Sequence, residues 1–106
     1  MNTAAVAKSM LEAGKAAAGD TWNKIQHNFT ADISGVVQNS TEIEARLRSG
    51  ELSEEDADEL LRAQSLSMFI LSQEIGVDGK VVAQNAINAA IDVLVAAVKT
   101  AAKLPI

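Results

Sequence analysis

The chain has 106 residues, 48% apolar and 22% charged, with a net charge of −5. It is sized for one domain with a modest core, and it is neither disordered nor basic enough to grip phosphate backbones. The absence of cysteine excludes disulfides, thiolate metal sites and cysteine nucleophiles. Nineteen alanines and three aromatic residues (Trp22, Phe29, Phe69) suit close helix packing better than a deep, ring-walled pocket.

In chain order, the first predicted helix covers residues 3–18, with Ala4, Ala7, Leu11, Gly14 and Ala18 in phase along one face. That stripe runs into the next, so residues 3–49 read either as one rod or as two helices broken at Gly19-Asp20-Thr21, where Gly19 would end one helix and Thr21 cap the other. The clearest pattern is Trp22, Ile25, Phe29, Ile33, Val36, Ser40, Ile43 and Leu47, at steps of three and four, which predicts a helix over residues 21–49 about 43 Å long. Gly35 lies inside it at a cost of about 1 kcal/mol relative to alanine. It marks a close crossing, a tolerated weak spot or a hinge.

Residues 49–53 form the best turn in the sequence. Gly50 fits the position after a helix, Ser53 fits an N-cap with Asp56 three residues on, and Leu52 can staple against Ala57. A connection this short makes the flanking helices antiparallel neighbours. The third helix is predicted over residues 54–75. Glu54, Glu55 and Asp56 occupy its first turn, where the helix dipole favours negative charge. The segment from Glu42 to Arg62 carries eight acids against three arginines, whereas the rest of the chain is balanced. Within the third helix, Met68, Phe69, Ile70 and Leu71 are apolar on every side, which implies burial on every side.

After Gly76-Val77-Asp78-Gly79, with Asp78 a possible N-cap, the fourth helix is predicted over residues 79–103. One stripe of Ile87, Ile91, Leu94, Val98 and Ala101 and another of Ala83, Ala86, Ala90, Val93 and Ala97 imply at least two neighbours. Gln84, Asn85, Asn88 and Asp92 interrupt the apolar window on one face. This reads as an amphipathic helix and not a membrane span. The N-terminal stretch lacks the continuous apolar core of a Sec signal peptide. With neither signal peptide nor transmembrane helix, the expected location is the cytoplasm or a destination reached by signal-peptide-independent export.

No constellation carries chemistry. His27 is the single histidine and sits off the apolar stripe. No Glu-x-x-His pair exists, and the acids from Glu54 to Glu59 lack EF-hand spacing and its glycine. Neither a catalytic triad nor a phosphate-binding glycine loop is present. The expectation is therefore a protein with no catalytic, metal or cofactor residues.

The fold reading is all-α, a single domain over residues 1–106: an antiparallel helical hairpin or four-helix bundle of long amphipathic helices, completed by self-association. Interface candidates are Trp22, Phe29, Met68, Phe69, Ile70, Leu71, Ile87, Ile91, Leu94 and Val98. The functional reading is a non-enzymatic structural or interaction protein, a homo-oligomer or filament subunit, with its own copies as partner and neither nucleic acid nor membrane expected. An adaptor docking another protein through Glu54, Glu55 and Asp58, or through a helical groove, is the first alternative. The second rests on Leu60-Leu61-Arg62-Ala63-Gln64 and the amphipathic helix through Ile91. Over about a third of the chain this resembles type III secretion needle and inner-rod subunits, which carry a Leu-x-x-x-Gln-like run before an amphipathic C-terminal helix. The resemblance implies a filament subunit, although residues 49–53 stand where needles have a Pro-x-x-Pro turn.

Overall fold

A computed structural model of the chain describes residues 1–68 and 77–103, with the side chains of residues 77–79 left out. It is all-α. Helix α1 spans Thr3–Ala18, a 3-10 turn follows at Gly19–Thr21, and α2 spans Trp22–Arg48. Helix α3 covers Glu54–Ala63, α4 covers Ser65–Met68, and α5 covers Val77–Lys103.

The two rods share one hydrophobic phase, yet the chain reverses between them. Asn2 caps α1 through its side chain, which accepts from the Ala5 amide at 3.0 Å. Gly19, with φ +54°, ends α1 and donates its amide to the Lys15 carbonyl. Thr21 is not the cap its position suggests. Its backbone is already helical and its side chain makes no capping bond, because the 3-10 turn feeds directly into α2. The reversal lays α1 back along α2 in the opposite direction, with Gly14 against Phe29 and the Met1 amino group 3.8 Å from the Glu44 carboxylate.

The turn at residues 49–53 closes through Gly50, at φ +87°, and through the Leu52 amide bonded to the Arg46 carbonyl at 3.2 Å. Ser53 then caps α3 by accepting from the Asp56 amide at 3.0 Å, and Leu52 packs against the core. The helix predicted over residues 54–75 is interrupted at Gln64. There Ser67 donates both its amide and its hydroxyl to the Gln64 carbonyl, a local bond that competes with a continuous helical ladder. Residues 69–75 of that predicted helix lie outside the described residues. Asp78, expected as an N-cap, lies inside α5.

Three long helices, α1, α2 and α5, pack together, and α3 lies across α5 and α2. The body measures 44 × 22 × 17 Å, its long axis set by α2 and α5. Helix α5 runs parallel to α2, since Arg48 reaches the Ala101 carbonyl, and antiparallel to α3, since Asp58 faces Lys99 while Arg62 faces Asp92. The core holds Met10 and Ala18 of α1, the α2 stripe from Trp22 to Ile43, Ala57 and Leu61 of α3, Met68, and the α5 face from Ala83 to Val98. Small residues at Gly14, Ala18, Ala83, Ala86 and Ala90 let the helix backbones approach closely.

Helix α5 corrects the expectation about membranes. Its Lys80–Lys103 segment has 24 residues and a mean hydropathy of 1.7, long and apolar enough to cross a membrane. The four polar residues interrupt that run without lowering its mean far, because alanine, valine, isoleucine and leucine fill nearly all other positions. In this fold 44% of the most apolar window is buried. The location inferred from the absence of such a helix is withdrawn with it.

Two glycines test the packing in opposite directions. A Cβ on Gly14 would lie 2.6 Å from Phe29 Cζ, whereas one on Gly35 would meet nothing within 4 Å. The close crossing is therefore at Gly14, and Gly35 is a tolerated weak spot. Gly35→Ala should raise the free energy of unfolding by about 0.5–1 kcal/mol. Gly14→Ala should lower it by up to about 2 kcal/mol, because overpacking costs about 1–3 kcal/mol against a propensity gain of about 1 kcal/mol. Urea denaturation of the two variants checks both signs.

Candidate functional site

Four of the eight acids of the acidic segment, Glu44, Glu51, Glu54 and Asp58, pair with cations of the chain. Capping by Ser53 and the first-turn acids start α3, and the helix then presents Glu54, Asp58 and Arg62 to α5. Asp58 accepts from Lys99 Nζ at 3.1 Å and from Arg62 Nε at 2.6 Å. Arg62 also donates to Asp92 at 2.9 Å, and Lys103 lies 3.3 Å from Glu54. The hydrogen bonds from Lys99 and Arg62 hold the Asp58 carboxyl below its ordinary range, and those to Asp92 and Asp58 hold the Arg62 guanidinium above its own. Of the three docking candidates, Glu54 and Asp58 thus pair with α5, while Glu55 is exposed.

A second polar cluster closes the end of the molecule where α1 begins and α2 and α5 finish. Glu44 is only 8% exposed. Arg48, one turn on, donates through Nη2 to Glu44 at 2.6 Å and to the Ala101 carbonyl at 2.6 Å. A buried carboxylate is thereby paired, and a cation is set on the carbonyl end of α5, where the dipole favours it. Beside it lies an open groove of about 490 Å³ lined by Met1, Asn2, Val6, Arg48, Ala96, Ala97, Thr100 and Ala101.

The interface candidates Trp22, Phe29, Met68, Ile87, Ile91, Leu94 and Val98 are all buried by the chain's own helices. Trp22 and Phe29 stack edge to face, with ring centroids 5.2 Å apart. Their apolar patterning is met without a partner. The remaining candidates, Phe69, Ile70 and Leu71, lie outside the described residues. Among the described residues the large apolar side chains left exposed are Leu60, Leu66 and Val81, at 40%, 68% and 61%.

The other polar groups among the described residues stand apart from these clusters. His27 is exposed beside Asn23, Gln26 and Thr30 on a shallow surface. Gln84 bonds Asn88 at 2.8 Å along α5, and its Oε1 is buried without a hydrogen-bond partner among the described residues. Partial burial lifts the Asp32 carboxyl above its usual range. Among the described residues no group of three or more His, Cys, Asp or Glu side chains is placed to hold a metal ion.

No protein family, no curated protein and no solved structure matches the chain.

Sequence reasoning missed both polar clusters. Lys99 and Lys103 follow Asp92 at helical spacing on the rim of the α5 stripe, a signal that pairs them with an acidic neighbour once α3 is known to lie there. Glu44 and Arg48 are an i, i+4 pair, but nothing in their spacing tells that the carboxylate is buried.

Proposed function

We propose that the protein is a non-enzymatic helical interaction protein that associates with further copies of itself through the exposed apolar residues of α3, α4 and the start of α5. The observation that carries this reading is the exposure of Leu66 and Val81, and in lesser degree of Leu60, in a fold that otherwise buries its large described apolar side chains wholly or in part. A contiguous apolar patch on a surface marks a contact site, and on this reading Leu66 and Val81 belong to one. They flank, in sequence, the run Met68-Phe69-Ile70-Leu71, whose patterning calls for cover on every side. The contact therefore uses the outer residues and leaves the buried stripes of α2 and α5 to the core of each chain. Such association would serve a scaffold or an assembled structure.

Sedimentation at tens of micromolar tests it. The wild-type chain should run as a multiple of its 11.1 kDa mass, and Leu66→Glu combined with Val81→Glu should return it to the monomer with its helical content retained. A monomeric wild type would sink the reading.

A further inference from the structure

We propose that α3 is an electrostatically latched strap on α5, able to detach as a unit while α1, α2 and α5 remain packed. The inference goes beyond the proposed self-association and does not depend on it.

Ten residues of helix do not stand alone in water, so α3 exists because it is held. Its apolar hold is thin: Ala57 and Leu61 are fully buried, whereas Leu60 is 40% exposed. The rest of the hold is charge. Lys99–Asp58, Arg62–Asp92 and Lys103–Glu54 join α3 to α5 at 3.1, 2.9 and 3.3 Å. All three lie at least partly in solvent, and Glu54, Arg62, Asp92 and Lys103 are more than half exposed at the side chain. Exposed pairs are weakened by salt, since the Debye length falls from about 30 Å at 0.01 M to about 3 Å at 1 M.

The three long helices have a separate source of stability. Met10, Phe29, Ile33, Ile87 and Leu94 are buried among α1, α2 and α5. The connection to α2 turns on Gly50, in the left-handed region, and the far end of α3 is broken at Gln64. The first junction is a left-handed turn and the second a hydrogen-bonded turn that ends the α-helical ladder before α4, so α3 can leave without unwinding α2. Detachment frees the α5 groups that α3 pairs with, Asp92, Lys99 and Lys103.

Amide hydrogen exchange of the full chain, read by mass spectrometry at about 0.01 M and about 1 M sodium chloride, tests the latch. The amides of α3 should exchange about tenfold faster at high salt relative to those of α1 and α2 in the same sample, as the sum of three screened pairs implies. Lys103→Met, at an exposed position, should quicken α3 exchange at low salt and shrink its salt response. Lys99→Met should do so more strongly. The latch is overturned if α3 amides keep pace with the core amides at both salt levels, or if Lys103→Met leaves α3 exchange and its salt response unchanged in a folded chain.

Discussion

Replacing Phe29 with alanine is expected to lower the free energy of unfolding by about 3–5 kcal/mol, a large share of the roughly 5–15 kcal/mol available to a domain of this kind. Phe29 is 1% exposed and joins two packing events. The ring packs edge to face with Trp22, and its tip fills the space that Gly14 leaves open on α1. Alanine there would open a cavity at the crossing of α1 and α2 and strip Trp22 of its aromatic partner. Phe29→Leu should cost less, and it gives the sharper test because leucine lacks the Cζ and Cε atoms that a Gly14 Cβ would strike. Gly14→Ala, harmful in the wild-type chain, should become neutral or favourable in the Phe29→Leu background, with a coupling of about 1–3 kcal/mol. Urea denaturation of the four chains in that cycle measures it. Equal costs of Gly14→Ala in both backgrounds would show that the ring tip does not set the crossing.

The α2 core face was legible because one helix obeyed one period. Trp22, Ile25, Phe29, Ile33, Val36, Ser40 and Ile43 all point inward, and their spacing alone names them. The turn at Gly50 and the Ser53 cap were legible because their backbone conformations demand those residues. Helix α1 was less readable: its buried centre is Met10 with Gly14 and Ala18, whereas Ala4, counted in the stripe, is exposed. Alanine is nearly as content outside as inside, so an alanine-rich helix does not declare its face. The reversal at Gly19 could not be separated from a continuous rod, because the hydrophobic phase crosses it unbroken. The polar clusters depend on which helices become neighbours, a tertiary fact that spacing within one helix does not hold. The same dependence bears on the interface candidates, seven of which lie buried within the chain. Spacing shows that an apolar face is wide, and only the packing of α1, α2 and α5 shows which helices cover it. The apolar length of α5 was underread for a related reason: four polar residues break the pattern to the eye but leave its mean hydropathy at 1.7.

Arg48→Met is expected to be the second large loss, about 3 kcal/mol, the low end of what breaking a buried ion pair costs. The low end applies because the Arg48 side chain is 25% exposed while that of Glu44 is 11% exposed. Methionine keeps much of the aliphatic stem against the groove beside Ala97 and Ala101 but removes the guanidinium. Glu44 would then keep a charge inside the fold with the Met1 amino group, 3.8 Å away, as its remaining neighbour. The Ala101 carbonyl would also lose its donor, so the last turn of α5 should fray, visible as faster amide exchange near residues 101–103. The diagnostic variant removes both charges. Glu44→Leu with Arg48→Met should recover most of the stability lost by Arg48→Met alone, because an apolar pair carries no desolvation penalty. The faster exchange at the end of α5 should persist in that double variant, since leucine cannot serve the carbonyl. Thermal unfolding and exchange measured on the same proteins separate the two roles. Recovered stability with a still-frayed α5 assigns the stability loss to the stranded carboxylate. A double variant no more stable than Arg48→Met would assign it to the cap on α5, and the ion pair would then be incidental to the fold.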